Sequence, residues 1–224
     1  MNIPSSFNLS AIPEIDELKK LCKSISALDA IICPEWEYRY YSYQSDWDAD
    51  MGEECMEMRN GSGDHFFVLF SPHGAIINGQ AHESEMSRSG IWPGVVDRVP
   101  AEFHHFIFGE PIKSIGTTFC IWRKYTDSKW EKGDFVYPED ELKDGSEDLL
   151  FILDNVPETY QKFALDYYED EFENDVNRLG IDVIRYIYAH KPITREIALK
   201  INPHIGDFEK LKQDLAEIGY PGLL

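Results

Sequence analysis

The sequence lacks the features of an exported or membrane-spanning protein. No apolar run approaches the roughly 18 residues that a membrane span needs. Residues 1–11 have neither the basic start nor the long apolar core of a signal peptide. The four cysteines, Cys22, Cys33, Cys55 and Cys120, are dispersed and form no CxxC pair. Because scattered thiols without an export signal are typical of a reducing compartment, we expect a soluble cytoplasmic protein.

The sequence also lacks the motifs that usually carry catalysis or nucleotide binding. It contains no Gly-x-Ser-x-Gly, no GxxxxGK[ST], no GxGxxG and no HExxH. A nucleophilic hydrolase needs a nucleophile, a base and an orienting group brought together, and no spacing in the chain indicates such a set. The sequence predicts no cofactor.

Basic residues are scarce, and the acidic residues concentrate in two stretches. The 224 residues include 41 Asp and Glu against 21 Lys and Arg, a formal net charge of −20. Residues 45–64 carry seven acids and one base (net −6), and residues 134–175 carry fifteen acids and two bases (net −13). These two acidic windows therefore hold −19 of the charge. Such surfaces repel phosphate backbones and anionic lipid and attract basic partners, so we expect no nucleic acid and no membrane as partner.

Hydrophobic periodicity predicts strands first and helices later. Apolar residues at helical spacing after Pro13 predict an N-terminal helix that ends at Pro34. Residues 65–70 and 75–80 are β-type runs around a Pro/Gly turn and predict a hairpin. Further strands are predicted over residues 36–43 and 117–125, and helices from residue 146 onward, including one that begins at Pro157.

This order predicts an α+β fold. The predicted architecture is an antiparallel sheet of about four or more strands, with an N-terminal helix and a helical C-terminal section. No Pro- or Gly-rich linker separates the parts. We therefore expect one acidic domain over residues 1–224, in which residues 1–145 form the helix and sheet and residues 146–224 pack on them.

The first acidic window contains a spacing that is similar to a calcium loop. From Asp46 to Glu57, carboxylates occupy loop positions 1, 3, 5, 9 and 12. Position 6, which needs glycine for its sharp turn, is Met51, and Gly52 falls one place late. We therefore expect an acidic loop without an ion. If a hard cation bound, its ligands would be Asp46, Asp48, Asp50 and Glu57.

One short segment is similar to a known superfamily. Trp92–Gly94 and Val99–Phe106 resemble the opening helix of the SMI1/KNR4-type domains, which include bacterial toxin-immunity proteins. The similarity covers about a dozen of the 224 residues. The Asn-Gly-Gly turn that the resemblance implies downstream is missing, so we do not assign the chain to the superfamily.

Two classes of function fit these features, beside the simple alternative that surface charge only keeps the protein soluble. The first is a non-catalytic, bacterial-type protein-binding module, similar to an immunity protein or antitoxin, that neutralises a basic protein partner. Aromatic anchors within a charged surround are typical of tight interfaces. The predicted binding residues are Tyr38, Tyr40, Asp46, Trp47, Asp48, Asp50, Tyr167, Glu169 and Asp170.

The second class is a hydrolase-like enzyme that acts on a small molecule. Its predicted pocket lies between the sheet and the long connection over residues 82–115. His82, Glu83 and Glu85 are its candidate catalytic residues, because they bring an imidazole and two carboxylates close together in the sequence.

Overall fold

The computed structural model describes residues 3–139, 142–172 and 179–224. Within these ranges the chain forms three layers. A central antiparallel sheet has helices against one face and an irregular segment against the other. The N-terminal helix, the antiparallel sheet and the helical C-terminal section confirm the predicted α+β class.

The central sheet is a six-stranded meander in which each strand pairs with the next one along the chain. The predicted hairpin is confirmed, because Ser71 and Gly74 pair across its turn. The strands are β1 (Tyr41–Asp48), β2 (Glu53–Arg59), β3 (His65–Ser71), β4 (Gly74–Gln80), β5 (Phe119–Lys124) and β6 (Glu131–Lys132).

The helices begin and end at the expected local signals. Pro157 is the first residue of its helix, Asp207 accepts a hydrogen bond from the Lys210 amide, and Gly219 ends the last helix with φ 67°. The helices are α1 (Ile15–Ile32), α2 (His104–Ile107), α3 (Ile112–Ile115), α4 (Ser146–Leu149), α5 (Pro157–Tyr167), α6 (Ile181–Tyr188), α7 (Arg195–Ile201) and α8 (Phe208–Ile218). A short parallel pair, β7 (Ile193–Thr194) and β8 (Gly222–Leu223), ties the C-terminal helices together.

Both faces of the sheet are buried, which explains why β3 is apolar along nearly its whole length. Phe66 and Phe70 pack into the core shared with α1 and the C-terminal helices. Phe67 and Leu69 point to the opposite core, which residues 82–115 cover with side chains such as Phe103. A strand that is buried on both faces does not alternate apolar and polar residues, because neither face is exposed to solvent.

Two predictions about β1 and its neighbourhood are wrong in detail. Trp36–Tyr38 forms a short 3-10 helix, and the strand begins only at Tyr41. The segment over residues 46–57 is not an open loop, because β1 continues to Asp48 and β2 begins at Glu53. The first acidic window is therefore mostly β-hairpin.

Within the described ranges, no helix combines the length and the apolar composition needed to cross a bilayer.

Candidate functional site

The predicted binding residues lie at the two ends of β1. Its last three residues are Asp46, Trp47 and Asp48, whereas Tyr38 and Tyr40 precede its first residue. An eight-residue strand spans about 25 Å. The predicted set is therefore two separate groups.

The group before β1 is an aromatic cluster joined to the end of α5. The ring of Tyr40 lies 4.6 Å from that of Tyr167 and 4.9 Å from that of Phe163, both edge-on. Tyr167 remains 43% exposed and Tyr38 70% exposed. Two predicted residues, Tyr40 and Tyr167, are thus in contact, and large aromatic surface faces solvent beside them.

Carboxylates surround this cluster. We call residues 35–40 together with residues 166–171 the acidic–aromatic face. Its acidic side chains are exposed, and two of them, Glu169 and Asp170, were predicted from the sequence. The full set is Glu35, Glu37, Asp166, Glu169, Asp170 and Glu171.

One carboxylate from each acidic window acts on the segment that leads into this face. Burial, with further contributions from Tyr167 and Asp64, raises the pKa of Tyr40 to about 12. Burial, with further contributions from the charges of Asp29 and Glu171, raises the pKa of Cys33. Asp64 ends the first window and Glu171 belongs to the second, so negative charge from both windows reaches residues 33–40. Asp140, Glu141, Glu173 and Asp175 of the second window lie outside the described residues.

A buried carboxylate on α1 fixes the position of the cluster. Asp29 accepts hydrogen bonds from the hydroxyls of Tyr160 at 2.6 Å and Tyr168 at 2.7 Å, and from the Tyr41 amide at 2.8 Å. The Tyr168 hydroxyl in turn accepts from the Tyr40 amide at 3.0 Å. This Asp29 network joins α1, the end of α5 and the start of β1, the three elements that support the face.

Burial raises the pKa of Asp29 to about 6, against the opposing effect of its hydrogen bonds and of the Arg39 charge. Sequence reasoning missed this residue. A signal was present, because Asp29 shares a helix face with Cys22, Ile25 and Ile32 in an otherwise apolar stripe.

Arg39 fastens the segment that leads into the face. It is 5% exposed and donates hydrogen bonds to the carbonyl oxygens of Cys33 at 2.8 Å and Pro34 at 2.7 Å. It also forms an ion pair of 2.6 Å with Asp214 on α8. Residues 33–39 are therefore held on a rigid support.

Trp36 adds a third exposed aromatic side chain to the face, and sequence reasoning missed it as a binding residue. The Arg59 guanidinium lies 3.7 Å from the centre of its ring. Arg59 is the one base in the first acidic window. This stacking holds the indole ring of Trp36 in place.

Much of the charge in the first window is paired inside the fold. Glu54 binds Lys19 at 2.6 Å and Lys23 at 2.7 Å. Burial would raise the pKa of Glu54, but these hydrogen bonds and one from Tyr43 together lower it. The buried Glu53 contacts the His105 imidazole at 2.9 Å. These carboxylates stabilise the sheet and are not available to a partner.

The turn between β1 and β2 carries the other predicted binding residues and the candidate cation ligands. Asp48 accepts a hydrogen bond from the Met51 amide at 3.0 Å, which closes the turn. Trp47 packs inward, with its ring 6.4 Å from that of Phe67. Asp46 and Asp50 are exposed.

The fourth candidate cation ligand does not converge with the others. Glu57 lies four residues beyond Glu53 along β2, which is about 13 Å. Asp48 pairs with Glu53 at the turn itself. Within the described ranges, no group of three His, Cys, Asp or Glu side chains is placed to hold a metal ion.

The candidate catalytic residues lie at the opposite end of the sheet from this turn. His82 Nδ1 is 2.8 Å from Asp64 Oδ1, and its Nε2 is 3.9 Å from Glu83 Oε1. The hydrogen bond to Asp64 raises the pKa of His82. Glu83 and Glu85 are exposed. The structure thus brings His82 to Asp64, a partner that the sequence did not indicate.

A cleft of about 340 Å³ lies elsewhere, between the C-terminal end of α1 and the N-terminal end of α8. Glu35 lines it, so the cleft adjoins the acidic–aromatic face.

Comparisons with protein-family models, with curated proteins and with solved structures find no match. The function is therefore inferred from the geometry of the chain itself.

Proposed function

We propose that the protein is a non-catalytic binding module that captures a basic protein partner on the acidic–aromatic face, as a bacterial immunity protein or antitoxin does. The observation that carries the proposal is the exposure of Tyr38, Tyr167 and Trp36 among six exposed carboxylates. Aromatic anchors of this kind supply most of the energy of tight interfaces. The surrounding carboxylates would steer a basic partner toward them.

The support beneath the face favours binding over a purely solubilising role. Charge that only keeps a protein soluble needs no fixed geometry. Here the Asp29 network and the ion pair between Arg39 and Asp214 hold the backbone on both sides of the exposed side chains. A preorganised surface loses less conformational entropy when it binds. We further propose that the encounter takes place in a reducing compartment, where the four buried free cysteines stay unpaired.

The proposal is tested by affinity capture with matched variants. Two variants alter the face: Tyr38→Ala with Tyr167→Ala removes the anchors, and Glu169→Gln with Asp170→Asn removes two charges. The control, Asp46→Asn with Asp50→Asn, removes two charges at the β1–β2 turn. We expect wild type and control to retain the same protein, with a calculated pI above about 9. Both face variants should retain at least roughly tenfold less of it.

Three outcomes would contradict the proposal: equal retention by the face variants, a captured protein that is not basic, or an association rate that is independent of salt. Thermal unfolding of the two charge variants and of Tyr38→Ala alone should match that of wild type, because these side chains are exposed, and this serves as the folding control. Tyr167→Ala also loses the ring contact with Tyr40, so retention by Tyr38→Ala alone separates loss of an anchor from loss of packing.

A hydrolase-like enzyme remains the second candidate, and the hydrogen bond between His82 and Asp64 favours it. A carboxylate that orients an imidazole is the arrangement a general base needs. The test is turnover of chromogenic ester, amide and phosphoester substrates by wild type and by His82→Ala. Turnover that disappears with His82 would support the enzyme, whereas unchanged turnover would remove His82 from it.

A further inference from the structure

The cleft between α1 and α8 has an apolar floor. Ala30 and Leu211 are buried beneath it, and Ile205 forms part of its wall. Its volume of about 340 Å³ falls at the lower end of the range for ligand pockets, roughly 300–1,000 Å³. A cavity of this size fits one extended side chain or a small molecule.

The polar lining of the cleft is predominantly negative. Glu35, Asp207 and Asp214 contribute three carboxylates against the single ammonium of Lys210. The Arg39 guanidinium pairs with Asp214 from outside the cleft, which leaves a net of one negative charge. The α8 dipole adds about half a positive charge at its N-terminus, which is less than that net charge. An anion would therefore be repelled and a cation attracted.

The carboxylates of the cleft differ in how far neighbouring groups compensate their charge. Asp214 accepts from Arg39 at 2.6 Å and from Lys210 at 3.4 Å, so that its charge is largely compensated. Asp207 accepts from the Lys210 amide at 2.9 Å through Oδ1. Among the described residues, no hydrogen bond or ion pair is formed by the side chain of Glu35. The uncompensated charge thus lies at Glu35 and Asp207, at the mouth of the cleft.

A separate and much smaller hollow lies on the far side of Asp214. A hollow of about 10 Å³ shares Asp214 with the cleft, and Ser26 lines it. Ser26 is 1% exposed, and within the described part of the chain its hydroxyl has no hydrogen-bond partner. A hollow of this volume is about the size of one water molecule, so the argument for the cleft depends on its own lining.

We propose that the cleft receives a lysine or arginine side chain of the basic partner. The alkyl stem would lie on Ala30 and Leu211, and the cationic head would lie between Glu35 and Asp207. This inference rests on the proposed function, because Glu35 belongs both to the cleft and to the acidic–aromatic face. The partner would thus contact the exposed aromatic side chains of the acidic–aromatic face and place one cationic side chain in the adjoining cleft.

The cleft is tested directly with N-acetyl-arginine methylamide, followed by NMR of the backbone amides. N-acetyl-citrulline methylamide has nearly the same shape without the charge and serves as the ligand control. We expect the amides of Gly206, Asp207 and Leu211 to shift saturably with the arginine compound only. Affinity should fall roughly fivefold in Glu35→Gln with Asp207→Asn.

The variant is designed to leave the fold intact, because asparagine caps a helix as well as aspartate does. Its matched control, Glu17→Gln with Glu209→Gln, removes two exposed charges outside both the cleft and the acidic–aromatic face, and should bind the arginine compound as wild type does. Equal shifts with the citrulline compound, or equal weakening in the control, would overturn the assignment.

Two further measurements distinguish a cationic side chain of the partner from a free cationic small molecule. Putrescine that binds at least tenfold more tightly than the arginine compound would point to a free polyamine and overturn the proposal. Capture of the partner that is unaffected by Glu35→Gln with Asp207→Asn would also overturn it. If wild type captures no basic partner at all, the proposed function fails, while the titration still decides whether the cleft binds a cation.

Discussion

At the residue scale, Asp29 shows how one buried carboxylate shapes both the fold and its response to pH. Its three hydrogen bonds hold α1, α5 and β1 together. Its pKa is raised from 3.8 to about 6, so the folded state binds the proton more tightly than the unfolded chain does. The contribution of Asp29 to stability therefore falls as pH rises from about 4 to about 6, and is constant above that range.

We expect Asp29→Asn to remove this pH dependence. A shift of about two pKa units corresponds to roughly 3 kcal/mol. Between pH 7 and pH 4, the unfolding free energy of wild type minus that of the variant should increase by up to that amount. Urea unfolding at several pH values measures the difference, with the exposed Asp170→Asn as the control. Parallel curves for wild type and Asp29→Asn would contradict the assignment.

His82 provides a second prediction, with the same sign in a higher pH range. Its hydrogen bond to Asp64 raises its pKa, so the stabilisation is present below the usual histidine pKa and is lost as pH rises through the folded value. An NMR titration of the imidazole should give a pKa above 6.5 in wild type. Asp64→Asn should lower it markedly. Glu83→Gln should have a smaller effect, since Glu83 lies 3.9 Å away and is exposed; a larger effect from Glu83 would refute the pairing.

At the scale of elements, the structure confirms the predictions that depended on local signals. The β3–β4 hairpin and the start of α5 at Pro157 each follow from residues that act on their own neighbours. The strand β2 was missed for a different reason. Its polar residues Glu53 and Glu54 are compensated by side chains from α1 and α2, far away in the sequence.

In the candidate site, too, some features follow from local sequence patterns and others depend on tertiary packing. Tyr40 and Tyr167 could be chosen as candidate anchors, because aromatic residues next to acidic windows are visible in the sequence. Their meeting depends on how α5 packs against β1, which no local pattern specifies. Trp36 was missed because residues 36–43 were predicted to be a strand, whereas the chain turns at Trp36–Tyr38.

The pairing of β4 with β5 gives a prediction for a single glycine. Gly79 is opposite Phe119, and a Cβ atom built on it would lie 1.9 Å from the Phe119 ring. We expect Gly79→Ala to destabilise the protein by about 2–3 kcal/mol, because the ring must move within a packed core. In the control, Gly206→Ala, the Cβ meets nothing within 4 Å, so that stability should be almost unchanged. Equal urea midpoints for the two variants would show that the sheet accommodates the extra carbon.

At the scale of the whole molecule, the distribution of charge matters as much as its sum. Ion pairs at Glu53, Glu54 and Asp64 compensate part of the negative charge of the first window. Exposed carboxylates remain at the acidic–aromatic face and at the β1–β2 turn. The net charge of −20 nevertheless means that like charges outnumber opposite ones across the surface. Self-repulsion of this kind works against the compact state.

We therefore expect sodium chloride to stabilise the protein at pH 7. Raising the ionic strength from about 0.01 M to about 0.15 M shortens the Debye length from roughly 30 Å to roughly 8 Å, which screens repulsion between distant carboxylates. The close ion pairs lose less of their attraction, because partly buried pairs are screened little by salt. The unfolding midpoint should rise with salt at pH 7 and lose this dependence near the pI of about 4.6, where attraction and repulsion balance. An equal salt effect at both pH values would mean that net repulsion is not what the salt relieves.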